Sequence, residues 1–208
     1  MAITINGTTA TRITLNNTAL SSVTLNGTAI FPGSAVETMQ DYVFPNESKH
    51  CYMFNNTVVT YGVSFSATGT WQNYPAWRTM DNDASTYWAD FNSPDVITIT
   101  MPFGIQLNSV TVKNRTGKNA GATYGYIFIS TSTSGESDWQ QYAAFQGSRT
   151  GAAGEVTTFN NSSLASLTNV RRIRVRGDVW ASTDEHSIGE IVLAFKAQTS
   201  TLQAYGLL

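Results

Sequence analysis

Between residues 96 and 195 the chain repeats one pattern: a few residues that alternate apolar and polar, then a cluster of Gly, Asn, Ser or Pro. The segments VITITMP (96–102), NSVTVK (108–113), YGYIFIS (124–130), RIRVR (172–176) and IGEIVLAF (188–195) all read this way. Successive side chains of a strand point to opposite faces, so such alternation marks half-buried strands. No helical periodicity longer than three turns occurs after residue 42. Many short strands joined by turns predict an all-β antiparallel sandwich or jelly roll.

Composition agrees. Only 12% of residues are charged and the formal net charge is -2, so neither nucleic-acid binding nor a polybasic membrane face is expected. No stretch reaches the 18 or so apolar residues of a membrane span, and membrane insertion is not expected. Cys51 is the single cysteine, which excludes an internal disulfide. The opening MAITINGTTATRI has neither a charged n-region nor an apolar h-region, so synthesis and folding in the cytosol are expected.

Residues 1–31 repeat a ten-residue unit three times. Ile3, Ile13 and Val23 fall in register, as do Asn6, Asn16 and Asn26. Asn6-Gly7 and Asn26-Gly27 suit two-residue hairpin turns, and Asn16-Asn17 tolerates one. The expectation is a small β-meander. Each unit buries too little to offset the backbone entropy of about 1–2 kcal/mol per residue, so this module is expected to need partners. Residues 32–60 read as a connector. Within it Ser34 and Glu37 have capping-box spacing, which predicts a short helix through about Gln40. A β pattern resumes from Cys51, broken at Asn55-Asn56, and residues 196–208 read as a tail whose Leu202, Tyr205 and Leu207 could dock on a neighbour.

The densest chemistry is NYPAWRTMDNDASTYW (73–88). Asp81, Asn82, Asp83 and Thr86 place four oxygen-bearing side chains within six positions, between Trp77 and Trp88. A hard cation such as Ca²⁺ takes six to eight oxygens from side chains and loop carbonyls. An Asx turn accounts for the same residues without a metal. Both readings stand on spacing alone.

At this point the sequence resembles the discoidin family, also called coagulation factor 5/8 type C domains, and its relatives among galactose-type carbohydrate-binding modules. The resemblance rests on SFSATGTWQNYPAWRTMDNDASTYWAD (64–90), IQLNSVTVKN (105–114), ESDWQQYAAF (136–145), LTNVRRIRVRG (167–177) and IGEIVLAF (188–195). It spans about residues 61–195 and implies a galactose-binding-like jelly roll with its ligand loops at one end. It further implies a structural Ca²⁺ held by Asp81, Asp83, Thr86 and Glu190. The family usually has Gly where this chain has Asn82; Asn also enters the left-handed region, so the turn is expected to survive. The paired cysteines of many extracellular members are absent.

By position in the resemblance, Trp71, Tyr74 and Trp77 fall in the first ligand loop, and Trp180, Asp184 and His186 between the last two strands. A sugar site needs a flat ring for the C–H face and polar groups for the hydroxyls. Trp71, Tyr74 or Trp180 could be the platform, and Arg176, Asp184 or His186 the polar contacts; the same aromatics could equally close the end of the sandwich. In RRIRVRG, Ile173 and Val175 point one way and Arg172, Arg174 and Arg176 the other. A sheet face neutralised by neighbouring acids, or pressed on a subunit, explains that strand better than phosphate binding.

The sequence lacks a nucleophile elbow, a zinc-protease motif and a phosphate loop, and has only His50 and His186, so no enzymatic activity is expected. The opening repeats resemble short modules of tailed-bacteriophage virion proteins. Together these features lead to a structural component of a bacteriophage particle, made in the host cytoplasm and located in the virion. Such a fibre, tail or head decoration would carry a carbohydrate-binding-like domain for host attachment. Its expected partners are other virion proteins, a cell-surface glycan and further copies of itself, a trimer by analogy with fibres. The alternatives are a purely structural virion protein without glycan binding and a non-viral carbohydrate-binding module.

Overall fold

The computed structural model describes residues 37–91, 94–145 and 149–208 and, ahead of them, the backbone of six short strands between Thr4 and Pro32. Those six form three separate antiparallel hairpins: Thr4–Ile5 with Thr8–Thr9, Thr14–Leu15 with Thr18–Ala19, and Ser22–Leu25 with Thr28–Pro32. The pairing follows the ten-residue period. Among the described residues each hairpin is its own two-stranded sheet, one to each ten-residue repeat. The Asn-Gly and Asn-Asn turn positions lie outside the described residues.

The body is an antiparallel β-sandwich. Its strands are β1 (Met39–Phe44), β2 (Tyr52–Phe54), β3 (Thr57–Val59), β4 (Ser64–Ala67), β5 (Trp88–Asp90), β6 (Asp95–Lys113), β7 (Ala122–Ser130), β8 (Gln140–Ala144), β9 (Val156–Asn160), β10 (Val170–Trp180), β11 (His186–Ile188) and β12 (Glu190–Gln198). A helix α1 (Thr199–Ala204) follows. One sheet runs β8-β7-β10-β6-β4, using the first half of β6; the other runs β9-β6-β12-β1, using the second half.

Strand β6 therefore belongs to both sheets. The segments 96–102 and 108–113, expected as two strands, are one strand of 19 residues that crosses over at Met101-Pro102-Phe103-Gly104. Its pairing with β10 shifts register between Thr100 and Ile105, and its pairing with β12 shifts between Leu107 and Ser109. The second irregularity moves the buried set from Ile97, Ile99, Met101, Phe103, Ile105 and Leu107 to Val110 and Val112. A one-residue slip flips the faces of a strand, so the bulge keeps apolar side chains inward as the strand changes sheets.

Two boundaries move outward. Gln40, expected in a short helix, lies in β1, which pairs with β12 from Met39↔Gln198 to Phe44↔Leu193. The sandwich thus starts inside the segment read as a connector. At the other end β12 runs to Gln198, and Leu202 and Leu207 are buried in this chain's own core. Tyr42 Oη donates to the Leu207 carbonyl at 3.1 Å, which fixes the tail over β1.

Candidate functional site

The segments 68–91, 114–121 and 181–189, which include the short strands β5 and β11, meet at one end of the sandwich, where β6 and β12 begin or end beside β7 and β10. Backbone hydrogen bonds tie them together: Trp71 N–H to Ala89 O at 2.8 Å, Thr116 N–H to Ala84 O at 3.3 Å and Ser187 N–H to Ala120 O at 2.9 Å. This grouping is the one the resemblance implies.

Across this end lies a row of half-buried rings. Tyr87 stacks on Tyr74 with centroids 4.5 Å apart, Tyr74 on Trp71 at 5.5 Å, and Phe91 meets Trp71 edge-on at 4.9 Å. Tyr87 immediately precedes strand β5, whose first residue Trp88 is fully buried in the core, while Tyr87 itself is half-buried. The Arg115 guanidinium lies 3.9 Å over Tyr87 and is hydrogen-bonded to Glu185, which Lys118 also contacts at 2.8 Å. The row is apolar along its length, exposed at Phe91, and closed at the other end by two cations sharing one carboxylate. Burial, and then a hydrogen bond with Tyr74, lift the Tyr87 phenol to about 12, so it stays protonated.

Of the residues expected to bind sugar, Trp71 and Tyr74 belong to this row. Trp77 does not: it lines a groove along β4 with Phe65, Ala67 and Pro75. Trp180 and His186 are corrected from contact residues to core. Trp180 is 9% exposed, lies 6.3 Å from Trp88, and stacks on His186 with the rings 7° from parallel. Gly177 makes room for that indole, since a Cβ there would come within 2.2 Å of it. His186 Nδ1 pairs with the buried Asp95 carboxylate. Burial first, and then the charge of Asp90, push the Asp95 carboxyl up to about 6 against the opposing pull of His186. Asp184 is exposed and bonded to its neighbours Thr183 and Ser182. Arg176 lies on the outer face of the larger sheet, paired with Asp178 at 2.7 Å, outside the aromatic row. Tyr87, Phe91, Arg115, Lys118 and Glu185 were not among the expected residues.

The expected cation loop divides in two. Asn82 adopts φ 61°, so the turn survives the loss of glycine. The Asp83 carboxylate is an Asx-turn acceptor for Ser85 N–H at 2.9 Å and Ser85 Oγ–H at 2.6 Å, and these bonds hold its carboxyl below the usual range. Asp81 accepts from Thr86 Oγ–H and from Asp83 N–H, yet burial raises its carboxyl. Glu190, at the start of β12, is 1% exposed, and among the described residues its carboxylate oxygens lack a well-formed hydrogen bond, the backbone N–H groups of Asn82 and Asp83 being their polar neighbours. Burial and then the Asp81 charge push it up to about 8. The buried Glu190 and half-buried Asp81 carboxylates repel each other, and the pull of Lys113 on Glu190 and of Arg78 on Asp81 does not offset their burial. That donor set fits a cation at Asp81, Thr86 and Glu190, with the Asp83 carboxylate turned away. Among the described residues no group of three or more His, Cys, Asp or Glu gathers as a metal site, so loop carbonyls would have to complete the shell.

The arginine strand behaves as a neutralised sheet face. Arg174 makes a two-pronged contact with Glu136, Arg172 contacts Asp138 at 3.2 Å, and both guanidinia stack on Trp139.

No family model matches the sequence, and no curated protein matches it. Solved structures share the fold. A chitosan-binding module from a chitosanase/glucanase of Paenibacillus sp. IK-5 aligns with 64% of this chain and 94% of its own at 18% identity and TM-score 0.51. The module CpGH89CBM32-5 from Clostridium perfringens, solved with GalNAc-β-1,3-galactose, aligns over 64% and 95% at 15% identity and TM-score 0.51. An F5/8 type C domain from Bacteroides fragilis aligns over 64% and 90% at 16% identity and TM-score 0.50. The discoidin-like jelly roll is therefore the fold of the sandwich. The reading as a structural component of a bacteriophage particle is corrected: the solved structures named above are bacterial carbohydrate-binding modules and an F5/8 type C domain, and none of them is a virion protein.

Proposed function

We propose that the sandwich is a carbohydrate-binding module whose sugar site is the aromatic row at the loop end. One observation carries this reading: Phe91, Trp71, Tyr74 and Tyr87 form a continuous, partly exposed stack that ends on the Arg115–Glu185–Lys118 cluster. Rings that only closed the sandwich would sit in the core as Trp88 and Trp180 do. A sugar's C–H face rests on an aromatic plane while its hydroxyls need fixed donors and acceptors, and the row offers both within one surface. The modules of known structure named above support the reading by fold.

A glycan array followed by calorimetry tests it. The intact chain is expected to retain a glycan, and Trp71→Ala to weaken that binding at least tenfold with an unchanged melting temperature. Retention of no glycan by the intact chain would falsify the proposal.

The same reading includes a structural Ca²⁺ held by Asp81, Thr86 and Glu190. It would neutralise two desolvated carboxylates and brace the turn that carries Tyr87 into the row. Its role is structural, since neither carboxylate belongs to the aromatic row.

A further inference from the structure

The outer face of the five-stranded sheet carries a second hollow, which touches the loop end at Thr68 and Pro94 but shares no residue with the aromatic row. It measures about 260 Å³ and is lined by Phe128, Trp139, Glu136, Arg174, Arg176 and Val96 together with Thr68 and Pro94. A smaller hollow of about 160 Å³ continues it over Ser66 and Thr98, sharing Thr68, Val96 and Arg174. Register places these residues in two adjacent rows, Tyr126–Arg176–Val96 and Phe128–Arg174–Thr98–Ser66. The trough thus crosses β7, β10, β6 and β4, a span of roughly 14 Å at the usual strand spacing.

Its walls differ in how far their hydrogen-bonding capacity is used. Arg174 is spent: Nη1 and Nη2 both bind Glu136, and Nε reaches Thr98 at 3.4 Å. Glu136 is equally occupied, by Arg174 and by Trp139 Nε1–H at 3.2 Å. Trp139 has its ring under two guanidinia and serves as a wall. Arg176 is the exception. Its Nε donates to Asp178, while Nη1 and Nη2 donate to nothing among the described residues, and the side chain is 40% exposed. A guanidinium with one edge pinned and the other open is pre-aimed at a planar anion, which it binds in two-pronged fashion. Beside it the trough floor is Val96 and Phe128, apolar surface of the kind that takes a sugar ring.

We propose that this trough is a second glycan site, distinct from the aromatic row, that takes a linear acidic polysaccharide with a uronate carboxylate on Arg176. The chain lies across the strands, its rings over Val96 and Phe128, with the Thr98 and Ser66 hydroxyls along its path. The site does not depend on the loop-end reading, because it shares none of that site's residues.

The test uses the full chain carrying Trp71→Ala, which silences the loop site, titrated with short oligogalacturonates and with the same oligomers after carboxyl reduction. Binding of the uronates, little binding of the reduced oligomers, and at least a tenfold loss on adding Arg176→Ala are the expected results. Arg176→Lys should recover only a minor part, since a point charge lacks the fork. Thermal melts confirm that each variant is folded; Arg176 is partly exposed and lies outside the core, so little change in stability is expected. Absence of uronate binding with Arg176 in place overturns the proposal, as does equal binding of the reduced oligomers or binding that survives Arg176→Ala. Loss of binding by the Trp71 variant toward neutral glycans, by contrast, reports only on the loop end.

Discussion

A tryptophan beside a binding loop can serve as a platform only where one ring face reaches solvent, and sequence does not say which face is covered. Trp71 and Trp180 are both in loop-end segments, but Trp180 is sealed between Trp88 and His186 while Trp71 stacks in the half-buried row. Behind Trp180 the Asp95–His186 pair makes a pH-dependent element. A carboxyl raised to about 6 in the folded protein favours the folded state while protonated, and that contribution fades as pH rises from about 4 through about 6. Denaturant titrations at pH 4 and pH 7 should therefore show wild type losing on the order of 2 kcal/mol relative to Asp95→Asn. An unchanged difference between the two chains would show that Asp95 ionises as an exposed aspartate does. Glu190 supplies the other residue-scale prediction. Calcium at a hundredfold excess over Kd should stabilise the intact chain by about 2.7 kcal/mol, and leave Glu190→Gln unmoved. Equal melting temperatures with calcium and with EDTA would remove the ion from the account.

Elements were legible where alternation was clean. The segments 124–130 and 172–176 fall inside β7 and β10, because one face of each is covered and period-two alternation reports that directly; 188–195, expected as one strand, is divided at Gly189 between the end of β11 and β12. The long strand β6 was read as two, since Pro102 and Gly104 normally punctuate; here they mark the crossover between sheets. Strand β1 was missed because a capping-box spacing preceded it, and a local helix signal of about 1 kcal/mol cannot compete with pairing along β12. The terminal helix was read as a tail because its docking depends on a single leucine. Thr199 N–H bonds to Thr38 O at 3.0 Å, and Leu202 is fully buried against the core. Leu202→Ala should accordingly cost about 2–5 kcal/mol in chemical denaturation, the range for emptying a leucine site. A loss below 1 kcal/mol would mean that α1 is only loosely attached. Of the loop-end site, the aromatic segment 71–74 was visible in sequence. Arg115 and Glu185 were not, because they come from loops 70 residues apart that only the sandwich brings together.

At the scale of the molecule, the sandwich separates two kinds of surface. Loops carry the aromatic row at one end, and the sheet face carries the arginine trough. Strand β12 starts at Glu190 beside the loops and ends at Gln198, where it pairs with Met39 of β1. The chain therefore enters and leaves the sandwich side by side, roughly 27 Å from Glu190 along an extended strand. That layout acts as a mooring. A support, a label or another polypeptide attached beyond either terminal strand holds the module by its far pole and leaves the aromatic row pointing outward, free to sweep a surface.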